Sequence, residues 1–394
     1  MEPVDPRALR PHYGAFLRPG RVLLTGHSHQ AWPDAARAGH LEAFEAAAAH
    51  VDDKWASAFE AAGAVRASVA SHLGVRPGSV ALGASTHDLV VRLLSALPLG
   101  RRRHVVATAG EFHTLYRQLT RLAEEGVEVE LVPTEPVATL AERLAAAVRD
   151  DTAALFASTV LFESGAVVPH LADAAVAARA RGAEVVLDAY HHFMVRPLSA
   201  SDYAGGDVFV LGGGYKYAQW GEGVCFMTVP ASCALRPVVT GWFSDFAGLG
   251  APRGQGPVGY GPTLADRFAG STYDPTSHFR ARAVAAFFST QGLTPGRLEE
   301  SYMRQTTRIF EGLAGAGLAL VSPTDARARG GFVAARLASP DSAAAVVRGL
   351  RDEGVWIDAR GPLARLGPAP YVTDDELDRG VEAFVRHARL AARS

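Results

Sequence analysis

Short apolar segments alternate with helical segments through the middle of this chain, and this alternation constrains its fold most. Six segments are predicted as strands: residues 105–107, 127–132, 154–157, 185–187, 208–211 and 224–228. Alanine-, leucine- and arginine-rich stretches such as 138–148 and 172–181 are predicted as helices between them. This order indicates an α/β fold with a mostly parallel central sheet and helices on both faces.

The last third of the chain is organised differently. Residues 246–262 are rich in glycine and proline and are predicted as a long loop, either disordered or in contact with another subunit. A helical stretch begins at Arg280, followed by predicted strands 318–321, 331–337 and 355–357 and helices 342–352 and 374–391. We therefore expect an N-terminal arm (1–20) that packs with a small α+β domain (280–394), and a large domain (21–279).

The composition argues against several classes of function. The formal net charge is −2, without a basic stripe or an acidic tail, so neither nucleic acid nor an anionic membrane is expected as a partner. Cys225 and Cys233 are the two cysteines, which fits a reducing cytoplasm and not a disulfide framework. We expect neither a signal peptide nor a membrane-spanning helix, and hence a cytoplasmic protein.

Lysine is almost absent from the chain. Of the 39 lysine and arginine residues only Lys54 and Lys216 are lysine. A lysine can form an imine, whereas an arginine stays protonated and cannot. Lys216 follows a predicted strand and the three glycines 212–214, where a Schiff-base lysine is expected. Lys54 lies in a polar helical context and is interpreted as a solvated charge.

Residues of suitable chemistry lie at other predicted strand ends, on the edge where parallel sheets bind ligands. Asp188 could pair with the pyridine nitrogen of pyridoxal phosphate, or cap the loop after it. Ser85 and Thr86 form either an anion cradle or an ordinary helix N-cap. Phe112 could stack on a cofactor ring, or be a core residue beside a solvated His113.

Three further interpretations remain open. Arg365 lies in a predicted irregular stretch and suits bidentate binding of a substrate carboxylate, unless it is an ordinary surface arginine. Histidines could converge with Asp188 on a metal ion: His27, His29, His113, His191 and His192. The protein could also be a non-catalytic sensor that retains the fold, although the presence of Lys216 argues against this.

Several motifs resemble those of the kynureninases, which belong to the class V aminotransferase superfamily of pyridoxal-phosphate enzymes with fold type I. The similar segments run in order from about residue 20 to 375: Gly26-His27-Ser28-His29-Gln30, Leu187-Asp188-Ala189-Tyr190-His191, Tyr215-Lys216-Tyr217, Gly241-Trp242-Phe243 and the segment around Arg365. The aspartate and lysine motifs are specific for the superfamily, and only the sum of the motifs points to kynureninase.

The resemblance implies a role for each matching residue. Lys216 would hold the cofactor covalently, and Asp188 would pair with its ring nitrogen with the support of His191. Tyr215 would bind the phosphate and act as acid or base, and Arg365 would bind the α-carboxylate of an amino-acid substrate. The other implied residues are Ser85, Thr86, Phe112 and Ser158 for the cofactor, Trp242 and Thr272 for its phosphate from the partner in a homodimer, and His29 and His113 for the substrate.

The departures from the family pattern concern the substrate residues. The family's Asn-Ser-Leu-Gly is His27-Ser28-His29-Gln30 here, and its Phe-Pro-Ser-Asp is one residue shorter and lacks the aspartate. The favoured prediction is hydrolytic Cβ–Cγ cleavage of a kynurenine-type substrate to alanine and an aryl acid. The alternatives are transamination, epimerisation or β-elimination on another amino acid. A cysteine desulfurase is disfavoured, because that reaction needs a mobile cysteine in the C-terminal part and none follows Cys233.

Overall fold

The computed structural model describes residues 2–252, 254 and 256–392. The strands are β1 (Val22–Leu23), β2 (Val80–Gly83), β3 (His104–Thr108), β4 (Glu128–Val132), β5 (Thr152–Ser158), β6 (Glu184–Asp188), β7 (Phe209–Gly213), β8 (Cys225–Thr228), β9 (Val333–Arg336), β10 (Val355–Trp356), β11 (Asp358–Arg360) and β12 (Leu363–Leu366). The helices are α1 (Pro6–Leu9), α2 (Ala35–His50), α3 (Trp55–Leu73), α4 (Thr86–Ala96), α5 (His113–Glu124), α6 (Leu140–Ala147), α7 (Leu171–Ala180), α8 (Thr276–Thr290), α9 (Pro295–Gly315), α10 (Pro340–Asp352) and α11 (Asp374–Ala391).

Seven strands form the central sheet in the order β2-β8-β7-β6-β5-β3-β4. Strands β3 to β7 pair in parallel, and β8 runs antiparallel between β7 and β2. The predicted α/β class is confirmed, and each of the six predicted strands lies in this sheet. The carboxyl ends of β3, β5, β6 and β7 consequently lie side by side, so that residues 108, 158, 188 and 213 approach the same edge.

The continuous apolar strands are explained by burial on both faces of the sheet. In β3, Val106 packs in the hydrophobic cluster that includes α3, α6 and α7, whereas Val105 and Ala107 pack in the cluster that includes α4 and α5. Successive side chains of a strand point to opposite faces of the sheet. Where helices cover both faces, apolar side chains are therefore favoured at every position of the strand.

A smaller α+β unit follows the long helices α8 and α9. Its sheet has the order β11-β12-β9, all antiparallel; α10 packs on this sheet, and α11 packs against α9 and α10. The N-terminal residues contact this unit: β1 pairs in parallel with β10, the Val4 N–H donates to Ser301 Oγ at 2.8 Å, and Arg10 binds Glu376 at 2.6 Å. The division into an arm and two domains stays a prediction.

Two local predictions in the C-terminal part are wrong. Residues 318–321 do not form a strand, because after the left-handed turn at Gly317 only Leu320 pairs, in an isolated bridge to Ala335. The stretch around Arg365, predicted as irregular, is strand β12. The Gly-Pro pair at 361–362 makes the tight turn between β11 and β12, with Gly361 at φ 53, instead of ending the regular structure.

The predicted loop 246–262 begins within 3₁₀ turns, Trp242–Gly250, and then becomes irregular; its residues Arg253 and Gln255 lie outside the described residues. Whether another subunit contacts this loop stays a prediction. Among the described residues, no helix has both the length and the apolar character needed to cross a membrane.

Candidate active site

Lys216 follows the end of β7 in a turn that is built on glycine. The Gly214 N–H donates to the Val224 carbonyl at 2.9 Å, and the Trp220 N–H donates to the Gly214 carbonyl at 2.8 Å. A Cβ on Gly214 would lie 2.5 Å from the indole of Trp220, so only glycine allows this close return of the chain. The turn places Lys216 on the wall of a cavity at the carboxyl ends of the parallel strands.

This cavity has a volume of about 300 Å³. It brings together most of the residues that the sequence predicted for a cofactor: Ser85, Thr86, Phe112, Ser158, Asp188, His191, Tyr215 and Lys216. His87, Phe162, Tyr190, Glu222 and Cys225 also line it, and the sequence had not indicated a role for them there. Lys54 ends a short 3₁₀ helix and is not among the lining residues.

The Lys216 amine is buried and sits among aromatic rings. Its Nζ lies 2.8 Å from His191 Nε2, and 4.5 Å from the centre of the Tyr190 ring. Burial lowers the pKa of Lys216 to about 7; Asp188 opposes this shift and Arg365 adds to it. A substantial fraction of the amine is therefore neutral near pH 7, as a nucleophile or a base requires.

Asp188 ends β6 and faces the same cavity. One carboxylate oxygen accepts the Tyr190 N–H at 2.8 Å, and the other has no hydrogen-bond partner among the described residues. Burial raises the pKa of Asp188, whereas the Tyr190 N–H and Lys216 lower it. The free oxygen is available to a cationic N–H on a ligand.

His191 does not support Asp188 as the resemblance implied. Its Nε2 contacts Lys216, and its Nδ1 is buried with no partner among the described residues. Burial lowers the pKa of His191 well below its ordinary value, so the ring is neutral, and Lys216 acts in the same direction. An unpartnered buried nitrogen beside the cavity is a free hydrogen-bonding group for a ligand.

Ser85 and Thr86 lie where β2 turns into α4. Ser85 is the N-cap of this helix and accepts the Asp88 N–H at 3.2 Å, so the simple capping interpretation is correct. Capping does not exclude anion binding, because Thr86 and the free N–H groups of the first turn still face the cavity.

Glu111 is a functional candidate that sequence analysis missed. It is 4 % exposed and its carboxyl group accepts hydrogen bonds from Thr108 Oγ1 at 2.5 Å, Ser158 N at 2.8 Å and Ser158 Oγ at 2.8 Å. Burial and the nearby Asp188 raise its pKa to about 7, although the three hydrogen bonds oppose this shift. Its position directly before Phe112 was the available signal, but one acidic residue among 41 carries little information.

The raised pKa of Glu111 predicts a pH-dependent stability of the cofactor-free protein. Between about pH 4.5 and 7 the unfolded state ionises Glu111 while the folded state keeps it protonated, so the contribution of this proton to stability is lost as pH rises through 7. Glu111→Gln should therefore gain melting temperature relative to wild type over this range and keep a constant difference above it. Thermal unfolding measures both melting temperatures. If their difference did not change with pH, the raised pKa of Glu111 would be contradicted.

Arg365 lies in β12 and is not free. Its Nε and Nη2 atoms donate to both oxygens of Asp358, at 2.9 and 2.5 Å, and its Nη1 donates to the Phe162 carbonyl at 2.7 Å. Asp358 also accepts from His27 Nε2 at 2.6 Å. With 3 % exposure Arg365 is no surface arginine, yet Asp358 already occupies the edge of the guanidinium that a carboxylate would bind.

The protonation states in this network are clear. Burial and Arg365 lower the pKa of His27 to about 4, so the ring is neutral and donates from Nε2. Although burial opposes it, His27 and Arg365 hold the pKa of Asp358 well below its ordinary range. Asp358 is therefore a carboxylate that neutralises the charge of Arg365. Sequence analysis missed it because 331 positions separate it from His27.

Besides Arg365, four predicted residues are not among those that line the cavity. Trp242 is 38 % exposed and donates from Nε1 to Thr272 Oγ1 at 3.2 Å; Thr272 lines an adjoining cavity of about 790 Å³. His29 is exposed and stacks on Tyr215 at 5.4 Å. His113 is the exposed first residue of α5, 6.0 Å from the Phe162 ring. One chain alone does not place these residues beside Lys216.

Tyr215 is half buried between His29 and Tyr190. Burial raises its pKa to about 12, with Cys225 and Asp188 acting in the same direction. The hydroxyl therefore stays protonated at neutral pH and can donate a hydrogen bond. As for the metal alternative, the described residues contain no group of three or more His, Cys, Asp or Glu side chains that could hold a metal ion.

These residues fit pyridoxal phosphate. The buried amine of Lys216, the open oxygen of Asp188, the unpartnered Nδ1 of His191 and the N-terminus of α4 surround one cavity. Among known families, Aminotransferase class-V matches residues 41–243, and Kynureninase C-terminal domain matches residues 300–384. The chain belongs to the class-V aminotransferase family. Members of this family are pyridoxal-phosphate enzymes that act on amino acids, and this protein is one of them.

Two curated relatives are similar over most of their length. An uncharacterised aminotransferase of Bacillus subtilis, YcbU, is 24 % identical over 331 residues, covering 83 % of this chain and 84 % of the relative. Isopenicillin N epimerase of Streptomyces clavuligerus is 26 % identical over 336 residues, covering 81 % and 82 %. The kynureninase likeness that the sequence motifs suggested is thus found for the C-terminal part, within a broader class-V relationship.

Solved structures establish the fold as type I. The cysteine desulfurase of Thermococcus onnurineus NA1 superposes with a TM-score of 0.82 at 16 % identity, over 99 % of this chain and all of the other. A mutant of C-DES with glycine covalently linked to the PLP cofactor gives a TM-score of 0.81 at 15 % identity, over 95 % and 98 %. At these identities the likeness shows the fold alone.

Removing the carboxylate of Asp188 should weaken cofactor binding. A charge-assisted hydrogen bond contributes roughly 1.5–3 kcal/mol, so Asp188→Asn should raise the dissociation constant of pyridoxal phosphate about 10- to 100-fold. Titration of the cofactor-free protein, followed by quenching of tryptophan fluorescence, measures this constant. Asp173→Asn, on the exposed face of α7, is the matched control. An Asp188→Asn value within twofold of wild type would refute the pairing.

Proposed function

We propose that the protein is an aminotransferase that uses Lys216 as a single acid–base group on the α-carbon of an amino acid. The observation that carries this proposal is the buried Lys216 amine, whose pKa is about 7, on the wall of a cavity that also holds Asp188. An amine in this state can both accept and return a proton near neutral pH. Transamination requires this shuttling, because the proton leaves the α-carbon and is delivered to another atom.

The aromatic rings nearest to Lys216 offer no second base. The rings of Tyr190, Phe112 and Tyr215 have their centres 4.5 to 5.6 Å from Nζ. Burial raises the pKa of both tyrosines, and phenylalanine cannot titrate. Epimerisation through two bases would need a second group of suitable pKa opposite the lysine. Transamination or β-elimination needs only the first.

The bound cofactor supplies an electron sink for the α-carbon. Lys216 would hold and move the proton at Nζ, and the neutral His191 would accept a hydrogen bond from it. Asp188 would keep the ring nitrogen protonated, while Ser85, Thr86 and the first turn of α4 would bind the phosphate. Phe112 would pack on the cofactor ring, and Ser158 would contact the cofactor from the cavity wall. Tyr215 would act only as a hydrogen-bond donor, because its hydroxyl is protonated at neutral pH.

A homodimer is part of this proposal. Trp242 and Thr272 are exposed and hydrogen-bonded to each other, and they do not line the cavity around Lys216 in their own chain. Trp242 packs with Phe243 and Phe246 on an aromatic surface. We propose that a second copy covers this surface and that the two residues reach the phosphate in the partner. His29 and His113 would then lie near the entrance for the substrate.

Kynureninase-like hydrolysis is the second candidate. It is supported by the kynureninase-type match over residues 300–384, which contains Asp358 and Arg365. Three aromatic rings of the cavity, those of Phe112, Phe162 and Tyr190, would suit an aryl side chain. Against it stands His27, at the position of the family's asparagine, because its Nε2 is committed to Asp358 and not to the cavity.

Persulfide chemistry is disfavoured by the cysteines. Cys225 lines the cavity but is 5 % exposed within β8, and burial raises the pKa of its thiol to about 12. Burial also raises the pKa of Cys233. Neither residue offers a mobile thiolate to a substrate sulfur atom.

Product analysis tests the proposal. The holoenzyme is incubated with a panel of amino acids and pyruvate or 2-oxoglutarate, and separately with kynurenine and 3-hydroxykynurenine, and products are identified by mass spectrometry. A keto acid formed together with the aminated acceptor supports the aminotransferase. If alanine and an aryl acid form from kynurenine or 3-hydroxykynurenine, and no keto acid forms from the panel, the protein is a kynureninase-like hydrolase and not an aminotransferase. A product of inverted configuration alone would establish an epimerase.

A further inference from the structure

The carboxyl group of Glu111 connects the ends of two neighbouring strands beneath the cavity. Its Oε1 accepts two hydrogen bonds, from Thr108 Oγ1 at the end of β3 and from the backbone N–H of Ser158 at the end of β5. Its Oε2 has a single contact, 2.8 Å from Ser158 Oγ. Ser158 is also on the cavity wall, and it is the residue paired in register with Asp188.

The proton of Glu111 has one suitable position. Oε1 already accepts two donors, one of which is a backbone N–H that cannot reverse, so the proton resides on Oε2 and points to Ser158 Oγ. In that state Glu111 donates and the Ser158 hydroxyl hydrogen is free for the cavity. When Glu111 is ionised, Ser158 must donate to it, and only the lone pairs of Ser158 face the cavity.

We propose that Glu111 is a positioning residue whose proton sets the direction of the Ser158 hydrogen bond, so that the pyridoxal-phosphate site has an additional donor when Glu111 is protonated and lacks it when Glu111 is ionised. This rests on the proposed binding of the cofactor in the cavity, and it does not depend on which reaction follows. The effect is transmitted through Ser158, since the carboxyl group itself is behind the wall.

The charges near Glu111 allow both states under ordinary conditions. Asp188 at the end of β6 disfavours its ionisation, as does burial, and the resulting pKa is about 7. Beyond Asp188 lie the Lys216 amine and the neutral ring of His191, and His113 follows two positions along the chain at the start of α5. The donor is therefore expected to switch near pH 7.

The test compares pyridoxal-phosphate affinity at pH 5.5 and 8.5 in four proteins: wild type, Glu111→Gln, Ser158→Ala and the double variant. The amide of Glu111→Gln donates to Ser158 as the protonated acid does, so in this variant the Ser158 hydroxyl should be a donor to the cavity at both pH values. The ratio of the affinity at pH 5.5 to the affinity at pH 8.5 should differ about fivefold between this variant and wild type, which is the effect of one hydrogen bond. In the Ser158→Ala background the same substitution should change the ratio by less than about twofold.

Other titrating groups, including the cofactor phosphate and Lys216, are common to all four proteins and cancel in this comparison. Glu125→Gln, on the exposed end of α5, is the control for the substitution itself. Equal changes with and without Ser158 would show that Glu111 acts through its charge alone and would overturn the proposal, as would an unchanged ratio in Glu111→Gln. If wild type itself failed to bind the cofactor, this result would instead refute the proposed function.

Discussion

Replacing Lys216 with methionine is expected to lower turnover at least 10³-fold, whichever amino acid proves to be the substrate. Removal of a general acid–base group costs about 10²–10⁴-fold, and the variant also loses the covalent attachment of the cofactor. Steady-state kinetics with the substrate from the product screen measure the loss. Lys54→Met, which alters the other lysine of the chain, should retain full activity. Residual activity above one tenth of wild type would exclude Lys216 as the base.

The same variant should be more stable than wild type at neutral pH. Burial lowers the pKa of Lys216 from 10.5 to about 7, so the unfolded state binds an extra proton between these values and stability falls as pH decreases from about 10.5 to 7. Methionine removes this penalty. The gain in melting temperature of the cofactor-free protein should therefore be largest at pH 7 or below and shrink as pH approaches 10.5. The two readouts separate a functional lysine from a structural one.

Asp358→Ala should cost about 3–5 kcal/mol in the free energy of unfolding, the second large effect that we expect. The substitution leaves the guanidinium of Arg365 buried at 3 % exposure with no countercharge, and removes the partner of His27. Urea denaturation of the cofactor-free protein measures the change. Asp378→Ala breaks an equally short but exposed pair with Arg308 and should cost about 1 kcal/mol or less.

A double variant identifies the cause of the Asp358 effect. Arg365→Met removes the stranded charge, so its combination with Asp358→Ala should be clearly more stable than Asp358→Ala alone. If the double variant were the less stable of the two, packing and not charge would explain the loss.

The sequence predicted the part of the site that depends on single strands. Ser158, which only the resemblance implied, ends β5. Lys216, Asp188 and Thr86 each lie at or just beyond a strand end, and parallel strands carry their carboxyl ends to one edge. Apolar runs and glycines mark such strands clearly, so these residues could be found without knowing how the strands pair. The α/β class followed from the same pattern.

The missed residues depend on contacts between distant segments. Asp358 acquires its role from His27 and Arg365, and nothing local distinguishes it from other aspartates. The family resemblance implied that His191 supports Asp188, but the chain turns after β6 and directs its ring to Lys216. The error at 318–321 has a similar origin, because an apolar run forms a strand only over the residues that pair, and here Leu320 alone forms a bridge, to Ala335 of β9.

The pairing of β1 with β10 determines the order in which the site can be completed during synthesis. The central sheet, with Lys216 and Asp188, is encoded by residue 228 and can form while translation continues. Val22 pairs with Val355, and His27 meets Asp358, so the N-terminal segment must wait for nearly the whole chain. A ribosome-bound chain can thus form its cofactor cavity well before Arg365 is held by Asp358 and Asp358 by His27. Stalled or truncated chains would contain the cavity residues around Lys216 but lack the contact between His27 and Asp358.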